Sequence, residues 1–191
     1  MKNKKHIAIF ASGNGSNAQQ LMQYFQHHSA VEIKLVVCNK PDALVLQKAA
    51  TMNVATFLIN KEELKTAEKM LPILQQHQID FIVLAGFLLQ IPNWLIQNFP
   101  NKIINIHPAL LPKYGGKGMF GRFVHEAVIE ANENESGISI HFVNENYDEG
   151  KIIFQAKCSV DENETIETLS KKIHALVHEY LPKIVEQLLN E

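Results

Sequence analysis

Short apolar runs and helical patterns alternate along the chain. The segments 6–11, 31–38, 54–58, 80–86 and 102–108 are β-rich runs bounded by Gly, Asn, Asp or Pro, which predicts strands. The run at 80–86 (DFIVLAG) has almost no polar residue and suits a strand covered on both faces, as in a parallel sheet. Between them, 16–28, 42–52, 61–77 and 92–98 carry helical spacing, with Ser16 as the expected N-cap of the first helix and Pro72 as the expected kink in the third. A further helix is predicted near 120–132, after the flexible GGKGMFG stretch. The runs at 137–143 and 151–160 are joined by a short polar loop and are expected to pair antiparallel. The segment 165–189 predicts a long amphipathic helix with Ile166, Leu169, Ile173, Val177, Tyr180 and Ile184 on one stripe. The β-α-β-α rhythm predicts an α/β fold, a doubly wound, mostly parallel sheet with a C-terminal antiparallel addition and a long final helix. No repeat or linker interrupts it, so residues 1–191 are expected to form one domain.

Composition narrows the function classes. Hydrophobic residues make up 46% of the 191, enough for a sizeable core. Twenty acidic residues stand against 18 basic ones, which argues against a nucleic-acid partner, because that role wants a basic surplus. Cys38 and Cys158 form neither a zinc spacing nor a disulfide framework, so a reducing, cytoplasmic setting is expected. The longest apolar runs are about ten residues, too short to span a bilayer. The basic start, including Lys2, Lys4 and Lys5, leads into only six apolar residues and is expected to be a solvated terminus, not a signal peptide.

Two motifs carry chemistry. Gly13, Asn14, Gly15, Ser16 and Asn17 follow the first strand and open the first helix, where free N–H groups and a partial positive charge suit a phosphate. The spacing also matches a dinucleotide fingerprint, but the place for its ribose-binding acid reads Cys38-Asn39-Lys40. An ordinary βα turn, a phosphate site and an NAD site all remain open from spacing alone. Second, Asn105 and His107 lie two apart in a strand pattern, so they share a face roughly 7 Å apart. Two satisfied polar residues at a strand end are one reading; their position beyond the carboxyl ends of the strands offers another. The glycine loop, the apolar 86–91 segment and the acidic 144–150 loop are expected at that same edge. That set of groups suits acyl transfer to an amine.

SGNGSN after the first strand, VLAGF at 83–87, INIHPALLPKYGG at 104–116, GISIHFV followed by Tyr147-Asp148-Glu149-Gly150, and the long last helix together resemble the phosphoribosylglycinamide formyltransferases of the folate-dependent formyltransferase superfamily. The resemblance covers nearly the whole chain and implies a Rossmann-like formyltransferase fold, with 1–100 as the phosphate-binding half and 101–191 as the catalytic and folate-binding half. It implies 10-formyltetrahydrofolate as co-substrate, phosphoribosylglycinamide as acceptor, and no metal. Asn105, His107 and Asp148 fall on the family's catalytic trio. Gly13, Asn14, Gly15, Ser16 and Asn17 fall on its phosphate loop. Leu88, Leu89, Gln90 and Ile91, with Asn105, fall on its folate contacts.

The chain departs from the family pattern at several of these places. Leu88-Leu89 stand where Met-Arg is frequent, and Glu63 where a folate-contacting arginine is frequent, with Lys61 or Lys65 as substitutes. Val177 stands where a ribose-contacting glutamate is usual.

The residue chemistry suggests a mechanism. Asn105 can donate to an oxyanion, and Asp148 beside His107 is expected to raise the imidazole pKa above its ordinary ~6.5. Neither cysteine joins this set as a nucleophile. His27, His28 and His125 are expected at the surface, His174 and His178 on a half-exposed helix face, and His141 is ambiguous. Competing readings are a non-catalytic Rossmann-type nucleotide module, formyltetrahydrofolate hydrolase, and methionyl-tRNA formyltransferase. The slightly acidic balance counts against the last. Monomer and homodimer both remain open.

Overall fold

The computed structural model describes residues 4–190; Lys2 lies outside them. Strands β1 (Lys5–Ala11), β2 (Val31–Cys38), β3 (Ala55–Leu58), β4 (Phe81–Leu84), β5 (Ile103–His107), β6 (Glu135–Phe142) and β7 (Ile152–Ser159) form one sheet in the order β3-β2-β1-β4-β5-β6-β7. The first five strands are parallel. β6 runs antiparallel to β5, and β7 antiparallel to β6. The helices are α1 (Ser16–Phe25), α2 (Leu44–Thr51), α3 (Lys61–Leu64), α4 (Ala67–Gln76), α5 (Asn93–Asn98), α6 (Arg122–Glu130) and α7 (Ile166–Asn190).

Period-2 alternation in β1 divides the core. Ile7, Ile9 and Ala11 face the layer containing α1, α2, α6 and α7. Ala8 and Phe10 face the layer containing α3, α4 and α5. Both faces of the central strands are therefore dry, which is why β4 can read FIVL with every residue buried. β1 is followed in space by β2 on one side and by β4 on the other. The strand order reverses there, and a crevice opens between the loops that leave β1 and β4. α7 lies beside α1 in the same direction: Tyr24 and His28, at the far end of α1, both bond Glu186.

Three local expectations need correction. Residues 61–77 form two helices, and the break is at Lys65-Thr66 rather than Pro72. Asn60 and Glu63 make a capping box that starts α3, and the extended backbone of Thr66 (φ −117°, ψ 159°) ends it before α4 restarts. Pro72 is exposed on α4, where water can meet the carbonyl its ring cannot bond. Second, the N-cap of α1 is Gly15 and not Ser16; it is left-handed (φ 73°) and no side chain caps the helix. Third, α7 buries Leu169, Ile173, Val177, Leu181 and Val185 most deeply, leaving Tyr180 and Ile184 half-buried.

Candidate active site

The glycine loop follows from β1 ending at the strand-order reversal. Gly15 packs against Val45 so closely that any Cβ would collide with that side chain. Its left-handed turn aims the uncapped N-terminus of α1 at the crevice. Val45 N–H donates to Gly13 O (3.2 Å), and Lys48 Nζ to Asn14 Oδ1 (2.6 Å), which brings a cation to the loop. Asn17 Oδ1 is buried without a partner. Ser12 fastens the loop to the segment after β4: its N–H donates to Gly86 O, and its Oγ accepts from Leu88 N–H (2.9 Å) while donating to Asn39 Oδ1. Asn39, at the place where a dinucleotide site would hold an acid, is thus engaged with Ser12.

Asn105 and His107 end β5 on one face. Asn105 lies opposite His141 of β6, and Asp148 comes from the turn before β7. Asn105 Nδ2 reaches His141 Nε2 (3.1 Å) and Asp148 Oδ1 (3.2 Å), so both of its amide hydrogens have acceptors. The network puts the His141 proton on Nδ1, which donates to Phe142 O (2.8 Å). His107 is 3% exposed. Its Nε2–H donates to Tyr114 O (2.7 Å), and its Nδ1 faces Asp148 Oδ2 at 3.5 Å. Asp148 also accepts from Gly116 N–H (3.0 Å) and stands 3.5 Å from His141 Nε2. Among the described residues, no three His, Cys, Asp or Glu side chains are arranged to hold a metal ion.

Electrostatics correct one expectation. Burial pushes the His107 imidazole below its ordinary value, outweighing the upward pull of Asp148 and the Tyr114 carbonyl. For Asp148 burial pulls upward, but the neighbouring His141 and His107 rings and the Gly116 N–H together hold its carboxyl below the ordinary value. The pair therefore rests with a neutral imidazole whose Nδ1 lone pair faces an ionised carboxylate. A proton arriving at Nδ1 finds an acceptor already in place.

One cavity of about 700 Å³ joins these parts. Its wall takes in all five glycine-loop residues, Leu88, Leu89, Gln90 and Ile91, and Asn105, His107 and Asp148. Gln90 crosses to Glu145 O, tying the apolar segment to the acidic loop. Lys40, His125, His141 and His174 also line it. His125, expected at the surface, is 4% exposed with Nδ1 unpartnered, because α6 turns it against α7. His174 is exposed, while His178 is half-buried with Nε2 unpartnered. His27 is exposed, and His28 is half-buried against Glu186. Sequence reasoning missed the part played by His141; its signal was the antiparallel register that sets it against Asn105.

The departures have structural answers. Glu63 caps α3 and pairs with Lys69, and Lys65 pairs with Glu62. Among the described residues, none of 61–65 lines the cavity. Val177 is buried in the stripe of α7 and meets the cavity with a methyl surface. Neither Cys38 nor Cys158 lines it.

A family model described as "Formyl transferase" matches residues 5–185. A chloroplastic phosphoribosylglycinamide formyltransferase of Arabidopsis thaliana is 37% identical over 98% of this chain, which spans 66% of that relative's length. The phosphoribosylglycinamide formyltransferase of Bacillus subtilis is 35% identical over 97% of this chain and 95% of its own. The crystal structure of glycinamide ribonucleotide transformylase 1 from Geobacillus kaustophilus superimposes with a TM-score of 0.89 at 33% identity, over 98% of this chain and all of that one. With this fold, this cavity and a match over nearly its whole length, the chain belongs to the formyl transferase family.

Proposed function

We propose that this protein transfers the formyl group of 10-formyltetrahydrofolate to the amine of phosphoribosylglycinamide, giving the N-formyl product and tetrahydrofolate. The observation that carries this reading is the single cavity that unites an uncapped helix N-terminus, an apolar slot and the Asn105–His107–Asp148 group. The helix end and the 13–17 loop suit the phosphate of the acceptor, with Lys48 and Lys40 adding positive charge. Leu88, Leu89, Gln90 and Ile91 suit the flat ring system of the folate, whose chemical contribution is the activated formyl group. The unpartnered Asn17 Oδ1 is an acceptor for an N–H or O–H of the acceptor molecule.

In the reaction a bond forms from the amine nitrogen to the formyl carbon, and the bond from that carbon to the folate nitrogen breaks. Asn105 turns one amide hydrogen from Asp148, the longer of its two bonds, to the oxygen on which negative charge builds. The proton shed by the amine is taken up at Nδ1 of His107, where Asp148 stabilises the imidazolium, and is returned to the departing nitrogen. Nε2 stays on the Tyr114 carbonyl throughout, which fixes the ring and leaves Nδ1 as the exchanging position. The trio is thus read as catalytic, 13–17 as the acceptor site, and 88–91 with Asn105 as the folate site.

A spectrophotometric assay of folate deformylation with and without phosphoribosylglycinamide tests the proposal. Deformylation that depends on the amine is the expected result. Deformylation at the same rate without it would make the protein a hydrolase, and stabilisation by NAD alone would make it a nucleotide-binding module.

A further inference from the structure

The segment 113–116 touches both members of the proton-handling pair. Tyr114 O takes the Nε2–H of His107, and Gly116 N–H donates to Asp148. Gly115 packs between Leu111 and Asp148 so tightly that a Cβ would collide with the Leu111 side chain. Where this short segment sits therefore decides where His107 and Asp148 sit.

Its own position is not a relaxed one. Tyr114 holds a left-handed backbone (φ 57°), a conformation that a bulky residue adopts only when its surroundings enforce it. The enforcing contacts converge on one carboxylate. Tyr114 Oη donates to Glu133 Oε1 (2.8 Å), and Lys113 Nζ reaches the same oxygen (2.7 Å). Glu133 lies in the turn between α6 and β6, outside the wall of the large cavity. A second cavity of about 90 Å³, lined by Lys113, Tyr114, Glu133 and Ser136, lies against this anchor. It leaves room for the segment to withdraw once the anchor is cut.

We infer that Glu133 is a positioning residue for the reaction: by clamping Tyr114 and Lys113 it holds the Tyr114 carbonyl against His107 and the Gly116 amide against Asp148. The inference rests on the proposed role of His107. It assigns Glu133 no contact with either substrate. The groups that face or charge-couple to His107 are the Asp148 carboxylate, the His141 ring, the Tyr114 carbonyl and, from α6, His125. Of these, Glu133 acts on the Tyr114 carbonyl through its clamp, and on Asp148 through the Gly116 amide. When the segment retreats, the His107 ring loses both its Nε2 acceptor and part of its cover, so its titration moves away from the parent's.

Two measurements on the full chain test this: steady-state kinetics, and NMR titration of the His107 ring, identified by its loss in His107→Asn. Glu133→Ala is expected to lower kcat roughly 10-fold, as a displaced catalytic group does, with both KM values within about threefold of the parent. Its His107 is expected to titrate at a pH displaced from the parent's. Glu133→Gln keeps an acceptor oxygen for Tyr114 and Lys113 and is expected to hold kcat within about threefold and the parent titration. If Glu133→Ala does not fold, Tyr114→Phe, which cuts one of the two bonds, gives a smaller loss in the same directions. Parent kcat and parent His107 titration, with only a lower Tm, would reduce Glu133 to a structural role and overturn the inference. So would a Glu133→Gln variant as impaired as Glu133→Ala. The titration needs no turnover, so an inactive parent enzyme would sink the proposed reaction without deciding the clamp.

Discussion

The two ends of the large cavity are built on opposite principles. The glycine-loop end is made from five consecutive residues and presents the uncapped N–H groups of α1, aimed by one left-handed glycine, with Lys48 beside them. The other end is assembled from β5, β6, the 113–116 segment and the turn before β7, where the side chains of Asn105, His107, His141 and Asp148 meet and backbone groups of Tyr114 and Gly116 hold two of them. Added volume is therefore expected to break the first end, and a change of charge or pH to disturb the second. A phosphate needs fixed donors, whereas a proton transfer needs a group free to change state, and on the proposed function these two demands fall at opposite ends of one cavity.

Substitutions in the distributed end should separate the two most strongly. Asn105→Ala or His107→Ala is expected to lower kcat by roughly 10²–10⁴-fold while leaving phosphate-ligand binding intact, as measured by steady-state kinetics and calorimetry. Gly15→Ala attacks the other end. The left-handed backbone alone costs an alanine about 1–2 kcal/mol, and the collision with Val45 adds to that. The expected result is a KM for the phosphorylated acceptor raised roughly 10-fold with kcat largely kept, the signature of lost ground-state binding. An unchanged KM would remove the loop from the acceptor site.

Proton linkage sharpens the contrast further. Burial holds His107, His125 and His178 below their ordinary value of 6.5, so near neutrality each binds fewer protons folded than unfolded. Their contribution to stability is full above that value and is lost as pH falls towards their folded values. Tm should therefore decline in mild acid, and His125→Gln should flatten the decline. Asp148, held below its ordinary 3.8, is present as a stabilising carboxylate above that value and contributes its own loss only at lower pH. A Tm flat across the range where histidines titrate would contradict this account. The smallest effect is expected from Glu63→Ala. It removes the capping box of α3 and should lower Tm slightly without moving the folate KM, because the residue lies off the cavity wall.

Legibility followed the same division. The strands were readable because each is a short apolar run, and the glycine loop because its residues are contiguous. Asn105 and His107 were readable as a pair because strand period places them on one face. His125 was misjudged because a histidine beside Glu126 reads as a solvated position and only the packing of α6 on α7 buries it. The helix break at Lys65-Thr66 was missed because Pro72 is the louder local signal, yet α4 runs through Pro72 and the extended backbone of Thr66 ends α3 sooner. The upward shift expected for His107 failed because a neighbouring carboxylate is visible in sequence once a pairing is assumed, whereas the depth of burial that opposes it is not.

Local order along the chain was enough to determine the alternating elements, the parallel core, and the loop that opens the first helix, since period and turn chemistry act over a few residues. Tertiary structure alone decided that His141 stands against both Asn105 and Asp148, that Tyr114 holds His107, and that a distant glutamate holds Tyr114. Those relations depend on strand register and on how deeply each group is removed from water, and neither is a property of any short stretch of sequence.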